Sequence, residues 1–320
     1  MRSVLLGLAL FLTCAGSVSA QDYPNRTVRL IVPYAAGGGT DAMARFLTRG
    51  MEAKLGVPVI VENRPGSGTT TGANFVAKSP PDGYTLLMAT SSTVAIAPSI
   101  YKNLLYDPLA DFTPISMIAE VPFVLITNPS LGVDSVDAFV KLARSTTGGL
   151  SYASGGAGAP HHIYMELLKS MAGIDLKHVP YRGGGPALSD VVAGHVPVMF
   201  ADVGQALELI TAKKVTALGV TTAKRVETMP QVPTLDQAGI KGYEANSWQC
   251  VIGPARLPAE IVVKLNKVLV DVMAAPETKA HFLRLGMQAG ASTPDENGAY
   301  IRRELVRWTQ IIKGIASLQP

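Results

Sequence analysis

Four times in this sequence a run of apolar, largely β-branched residues ends in a glycine-rich turn and gives way to helical spacing. Val28-Arg29-Leu30-Ile31-Val32-Pro33 runs into Ala35-Ala36-Gly37-Gly38-Gly39. From Thr40, the residues Met43, Phe46, Leu47 and Met51 then share one helical face. Val57 to Val61 leads into Asn63 to Gly72 and a helix near Ala73–Lys78. Leu150 to Ala153 leads into Ser154 to Gly158 and a helix over Pro160 to Met171. Val179 to Tyr181 leads into Arg182 to Gly185, with Pro186 at a helix start. Further strands are expected at 84–89, 123–127, 196–200 and 215–221, and further helices at 136–144, 261–272 and 300–312. Strands alternating with helices predict an α/β fold with mainly parallel sheets.

A chain of 320 residues with 48% apolar and 16% charged residues can bury a large core, and its length allows two domains. The net charge is +4, and no Lys/Arg cluster marks a nucleic-acid surface. Nucleic acid is therefore not an expected partner. Met1-Arg2, the apolar run Val4 to Leu12 and the small residues Val18-Ser19-Ala20 read as an export signal cleaved after Ala20. Cleavage would remove Cys14 and leave Cys250 alone, so no internal disulfide is expected.

In sheets of this kind, ligands sit beyond the carboxyl ends of strands, where loops open onto helix N-termini. The unpaired N–H groups and partial positive charge there attract a carboxylate or phosphate without any lysine. Tight connection alone is the competing explanation, and four such loops favour a binding role. No GxxxxGK[S/T] or GxSxG occurs, and Gly66, Gly68 and Gly72 miss the dinucleotide spacing by one residue. His161-His162 is a poor metal pair, because adjacent helical residues point about 100° apart. Neither a metal, a cofactor nor catalysis is expected.

Taken together, these loops resemble the Bug family, the substrate-binding proteins of tripartite tricarboxylate transporters. The resemblance lies in Tyr23-Pro24, Val28 to Asp41, Glu62-Asn63-Arg64-Pro65-Gly66-Ser67-Gly68 and Pro81-Asp82-Gly83-Tyr84-Thr85-Leu86. It continues through Tyr152, Ser154, Gly156, Gly158 and His162, then His178-Val179-Pro180-Tyr181-Arg182-Gly183, Pro233-Thr234, Ala238-Gly239 and Trp248. It implies a type II periplasmic-binding-protein-like fold, two lobes around a cleft with a hinge. Lobe 1 would comprise 21–123 and 226–320, and lobe 2 residues 124–225, with the return crossing placed up to 20 residues later.

The resemblance also implies a monomeric periplasmic receptor that delivers a small carboxylate to the permease subunits of such a transporter. A sensor for a membrane kinase and an exported α/β enzyme are the alternatives. For lobe 1 it implies ligand contacts from Tyr34, Ala36, Gly37, Gly38, Gly39, Thr40 and Asp41, and from Ser91, Ser92 and Thr93. For lobe 2 it implies Ser154, Gly156, Gly158, Ala159, His161, His162, Tyr181, Arg182, Gly183 and Asp202. Asp41 either meets a ligand-bridging water or fixes its own loop, the latter being favoured. Asp202 is either a polar ligand contact or a structural residue near the hinge. The sequence departs from the family's usual Thr-Pro-Ser-His at Ala159-Pro160-His161-His162, and from its usual Gly at Cys250. His161 then either donates to a carboxylate, stacks on a planar ligand or faces solvent.

Overall fold

A computed structural model of the chain describes residues 23–315 and Leu318. The expected export signal and its cleavage site lie outside the described residues. Two sheets organise the rest. The first has the strand order β11-β4-β10-β3-β1-β2, built from β1 (Val28–Val32), β2 (Val59–Asn63), β3 (Thr85–Thr90), β4 (Phe112–Val121), β10 (Ser247–Pro254) and β11 (Gln288–Ala289). The second has the order β7-β6-β8-β5-β9, built from β5 (Phe123–Thr127), β6 (Leu150–Ser154), β7 (Leu176–Pro180), β8 (Val198–Asp202) and β9 (Thr216–Val220).

The helices are α1 (Gly39–Leu55), α2 (Thr70–Ala77), α3 (Ala97–Ile100), α4 (Val136–Ser145), α5 (Pro160–Ala172), α6 (Gly184–Ala193), α7 (Val203–Thr211), α8 (Ala259–Ala274), α9 (Pro276–Arg284) and α10 (Pro294–Lys313). Helix α1 buries Met43, Leu47, Met51 and Leu55 at helical spacing and ends on Gly56 in the left-handed region, as an amphipathic helix with a glycine stop should.

The α/β alternation holds, but both sheets are mixed rather than mainly parallel. Parallel pairs β1/β2, β1/β3, β6/β7 and β6/β8 follow the βα repeats. Strand β10 runs antiparallel to β3 and β4, and β5 antiparallel to β8 and β9. Strands β4 and β10 were not expected. They carry the chain between the sheets and hide their period: all eight residues of β10 are buried, and β4 holds Pro114.

The crossings lie side by side. Pro122 alone separates β4 from β5, and Ser247 pairs with Val121 where the chain returns. The return comes at Ser247, near the late limit of the range expected for that crossing. Val226, Met229 and Val232 pack into the core of the second sheet, Thr234 bridges Val220, and the Ala245 amide donates to the Thr221 carbonyl. These contacts hold the whole segment to the second sheet until β10 begins. A larger apolar core runs continuously from the first sheet through Phe123 and Tyr164 into the second unit. Within it Trp308 of α10 stacks on Tyr164 of α5 at 5.7 Å and 22°, and the Tyr243 hydroxyl donates to the Tyr164 carbonyl.

Candidate functional site

A cavity of about 770 Å³ opens between the two sheets. The β1–α1 loop forms its first wall, contributing Tyr34 through Thr40. The opposite wall is made by the starts of three helices: Ala159 to His161 at α5, Arg182 to Pro186 at α6, and Asp202 with Gln205 at α7. The floor comes from the crossing strands, with Thr90, Val121, Phe123, Ser247 and Gln249, and Met287 closes one side.

Four helices thus begin at one cavity, and none is capped by a side chain at Gly38, Ala159, Gly183 or Asp202. Helices α4 and α10, which start elsewhere, are capped by Ser135 and by a Thr293–Glu296 capping box. Helices α2, α3, α8 and α9 are also uncapped, so the empty caps matter here only because they converge. Each helix leaves first-turn N–H donors unpaired, and the aligned dipoles add positive potential. Gly183 sits at φ 121° and Gly37 at φ 89°, conformations that side-chain-bearing residues resist. The cavity's one arginine, Arg182, is exposed at its rim. Backbone amides are therefore the main donors to an anion.

The first wall is held from behind. Asp41 is buried and accepts from the Gly37 amide at 2.9 Å, from Arg45 at 2.9 Å and from Asn63 at 2.9 Å. Burial pushes its pKa up, but these donors outweigh that and hold it below the ordinary carboxylate value. Its oxygens are spent on the loop, and Asp41 does not line the cavity.

The second wall rests on rings. His162 stacks on His178 at 4.2 Å, and His178 on Tyr152 at 5.0 Å. The His162 Nδ1 accepts from the Gly158 amide, and His178 Nε2 lies 2.6 Å from the Ser154 hydroxyl. Because Nδ1 is an acceptor, His162 is neutral; burial and then the adjacent His178 push its pKa down to about 4. Beneath the stack, the Tyr152 hydroxyl and Lys169 both donate to buried Glu166.

Of the residues expected at the site, Tyr34, Ala36 to Thr40, Ala159, His161, Arg182, Gly183 and Asp202 line the cavity. The others do not. Ser91, Ser92 and Thr93 turn beneath the floor, where only their neighbour Thr90 reaches the cavity, and Thr93 Oγ1 lies 3.1 Å from Thr90 Oγ1. Ser154, Gly156, Gly158 and His162 hold the second loop from behind. The Tyr181 hydroxyl is turned away to Asp190 at 2.7 Å. Sequence reasoning missed the floor residues Phe123, Ser247 and Gln249, together with Gly184, Gln205 and Met287. They come from strands and loops distant in sequence and carry no local signal, although Gly184 and Gly185 prolong a glycine run already visible.

His161 is buried, its ring edge-on to Phe123 at 5.2 Å. It does not face solvent. A Cβ at Gly184 would lie 2.9 Å from its Nε2, so a side chain there would push the His161 ring aside. At the same junction, a Cβ at Gly204 would overlap the Leu285 carbonyl, bringing the start of α7 against the α9–β11 turn.

A family model described as the tripartite tricarboxylate transporter family receptor matches residues 43–317. The protein BugT of Bordetella pertussis is 34% identical over 317 residues, covering 98% of this chain and 97% of BugT. Among solved structures, an R. palustris protein with adipate superposes with a TM-score of 0.84 at 33% identity, covering 92% of this chain and 98% of that one. MatC from Rhodopseudomonas palustris, with bound malate, superposes with a TM-score of 0.83 at 31% identity, covering 90% and 99%.

Proposed function

Because this chain belongs to the tripartite tricarboxylate transporter receptor family, we propose that it is a periplasmic receptor that binds a small aliphatic di- or tricarboxylate and passes it to a membrane permease. The observation that carries this reading is the convergence of four uncapped helix starts on one cavity, one from the first unit and three from the second. Two carboxylates of one ligand can then be held from opposite walls. Each dipole contributes roughly 0.3–2 kcal/mol, and each amide hydrogen bond to a charged oxygen about 1.5–3 kcal/mol. Relatives of the same fold holding adipate and malate support the ligand class. The family's transporter supports the permease as partner, and binding without turnover is the role assigned.

The test is a melting-temperature screen of the mature chain against succinate, malate, adipate, citrate and benzoate. A ligand at a hundred times its Kd adds about 2.7 kcal/mol, several degrees for a protein of this size. At least one aliphatic carboxylate should give such a shift and be recovered chemically unchanged. A flat response to the whole panel, or accumulation of product, defeats the reading.

A further inference from the structure

The helix starts around the cavity supply donors, but Asp202 on the second wall and Gln249 on the floor bring acceptors that carry no well-aligned hydrogen bond among the described residues. Asp202, at the end of β8, does not cap α7, although it stands at the N-cap position. Its Oδ2 lies 3.3 Å from His161 Nε2, yet the two do not form a well-aligned hydrogen bond, and both ring nitrogens of His161 lack a partner among the described residues. His161 itself is nine-tenths buried. Gln249, on β10 and 4% exposed, donates through Nε2 to Thr40 at 3.1 Å, while its Oε1 has no partner among the described residues. The Asp202 charge also reaches Tyr34 on the first wall: burial, and then this charge, raise the Tyr34 phenol pKa. Asp202 on the second wall and Gln249 on the floor thus approach the cavity from different sheets, and each offers an oxygen without a hydrogen bond among the described residues.

A carboxylate on a helix N-terminus would normally turn back to cap it. A cavity built only for an unsubstituted dianion gains nothing from a carboxylate in its lining, because Asp202 repels such a ligand. Buried acceptors without partners cost free energy unless a bound group fills them. We propose that Asp202, oriented by His161 and assisted by Gln249, selects carboxylates carrying a hydrogen-bond donor on the carbon chain between their acid groups. The donor is a hydroxyl or ammonium directed at Asp202 while the helix starts hold the two carboxylates. This rests on the carboxylate-receptor reading and adds to it a selectivity determinant.

Calorimetric titration of matched pairs tests it, at two chain lengths: succinate against malate and aspartate, and adipate against 2-hydroxyadipate and 2-aminoadipate. In the wild-type chain the donor-bearing member of at least one set should bind about 10- to 100-fold tighter, the range of one hydrogen bond to a charged acceptor. In Asp202→Ala and in Asp202→Val, which remove the acceptor, the ratio should fall to within about threefold. Two substitutions are used so that loss of folding in one, seen by melting temperature, leaves the other to decide. If unsubstituted acids bind as well as or better than their substituted partners, or if the preference survives in a folded Asp202 variant, the inference fails and the carboxylate reading stands. If neither these acids nor any other carboxylate binds, both fall.

Discussion

Behind the loop Tyr34–Thr40 stands a carboxylate, Asp41, with an arginine, a carboxamide and a backbone amide converging on it. Behind the opposing loop Ser154–His161 stand neutral rings, His162 on His178 on Tyr152, with one ring nitrogen accepting the Gly158 amide. Both arrangements freeze a glycine-rich turn so that its helix can face the cavity, but they respond to acid in different windows. Asp41 has its pKa lowered in the folded chain, so its contribution is complete above the ordinary carboxylate value and is lost only as pH falls below it. His162 is pushed down to about 4 from 6.5, so the unfolded chain takes up its proton first as acid is added. Acid therefore draws on the ring-backed wall's contribution to global stability at higher pH than on that of the carboxylate-backed wall.

The severest way to break this comparison is Asp41→Ala. It strips the acceptor from three donors at once and leaves the Gly37 amide unpaired, at a cost of about 3–4 kcal/mol. Denaturant titration at pH 7 should record that loss together with loss of ligand binding. Acid alone should remove less. Between pH 6.5 and 4 the unfolded imidazole of His162 is protonated and the folded one is not, so stability falls as pH drops, by about 2–3 kcal/mol. Unfolding curves at half-unit pH steps would show this slope, and a flat profile across the window would refute the assignment.

Gly204→Ala tests the junction between the two walls rather than either wall. Its methyl would meet the Leu285 carbonyl, costing about 1–3 kcal/mol and weakening affinity while both loops stay intact. The mildest change is His162→Gln. It sacrifices about 1 kcal/mol at pH 7.5 with the lost Nδ1 acceptor, and it should flatten the acid slope. A slope unchanged in that variant would assign it to other groups.

Both walls were largely legible in the sequence, because a strand, a glycine turn and a helix start are local events written in adjacent residues. Tyr34 to Thr40 and Arg182 with Gly183 fall where the turns placed them. What lay behind the walls was harder to read. Ser154, Gly158 and His162 were expected to face the ligand, yet their polar atoms are turned to one another and to His178. Spacing reveals which residues are near a turn but not which side of it they occupy. The floor was not legible at all. It is assembled from β3, β4, β5 and β10, at positions more than a hundred residues apart, and the full burial of β10 erases the period-two alternation. The His161–Asp202 approach likewise exists only because α5 and β8 end at the same point in space.

The stacking of Trp308 on Tyr164 has a practical corollary. Helix α10 is seated on the first sheet's side of the molecule, whereas α5 belongs to the second, so this indole straddles the seam. Trp248, the other tryptophan, sits inside the first sheet against Tyr300 and is anchored at one end of the same helix. The chain therefore carries a gauge and a reference in its own near-ultraviolet emission. Were one half to slide past the other, the contact of the first indole would break, and its emission would report the motion without an added dye.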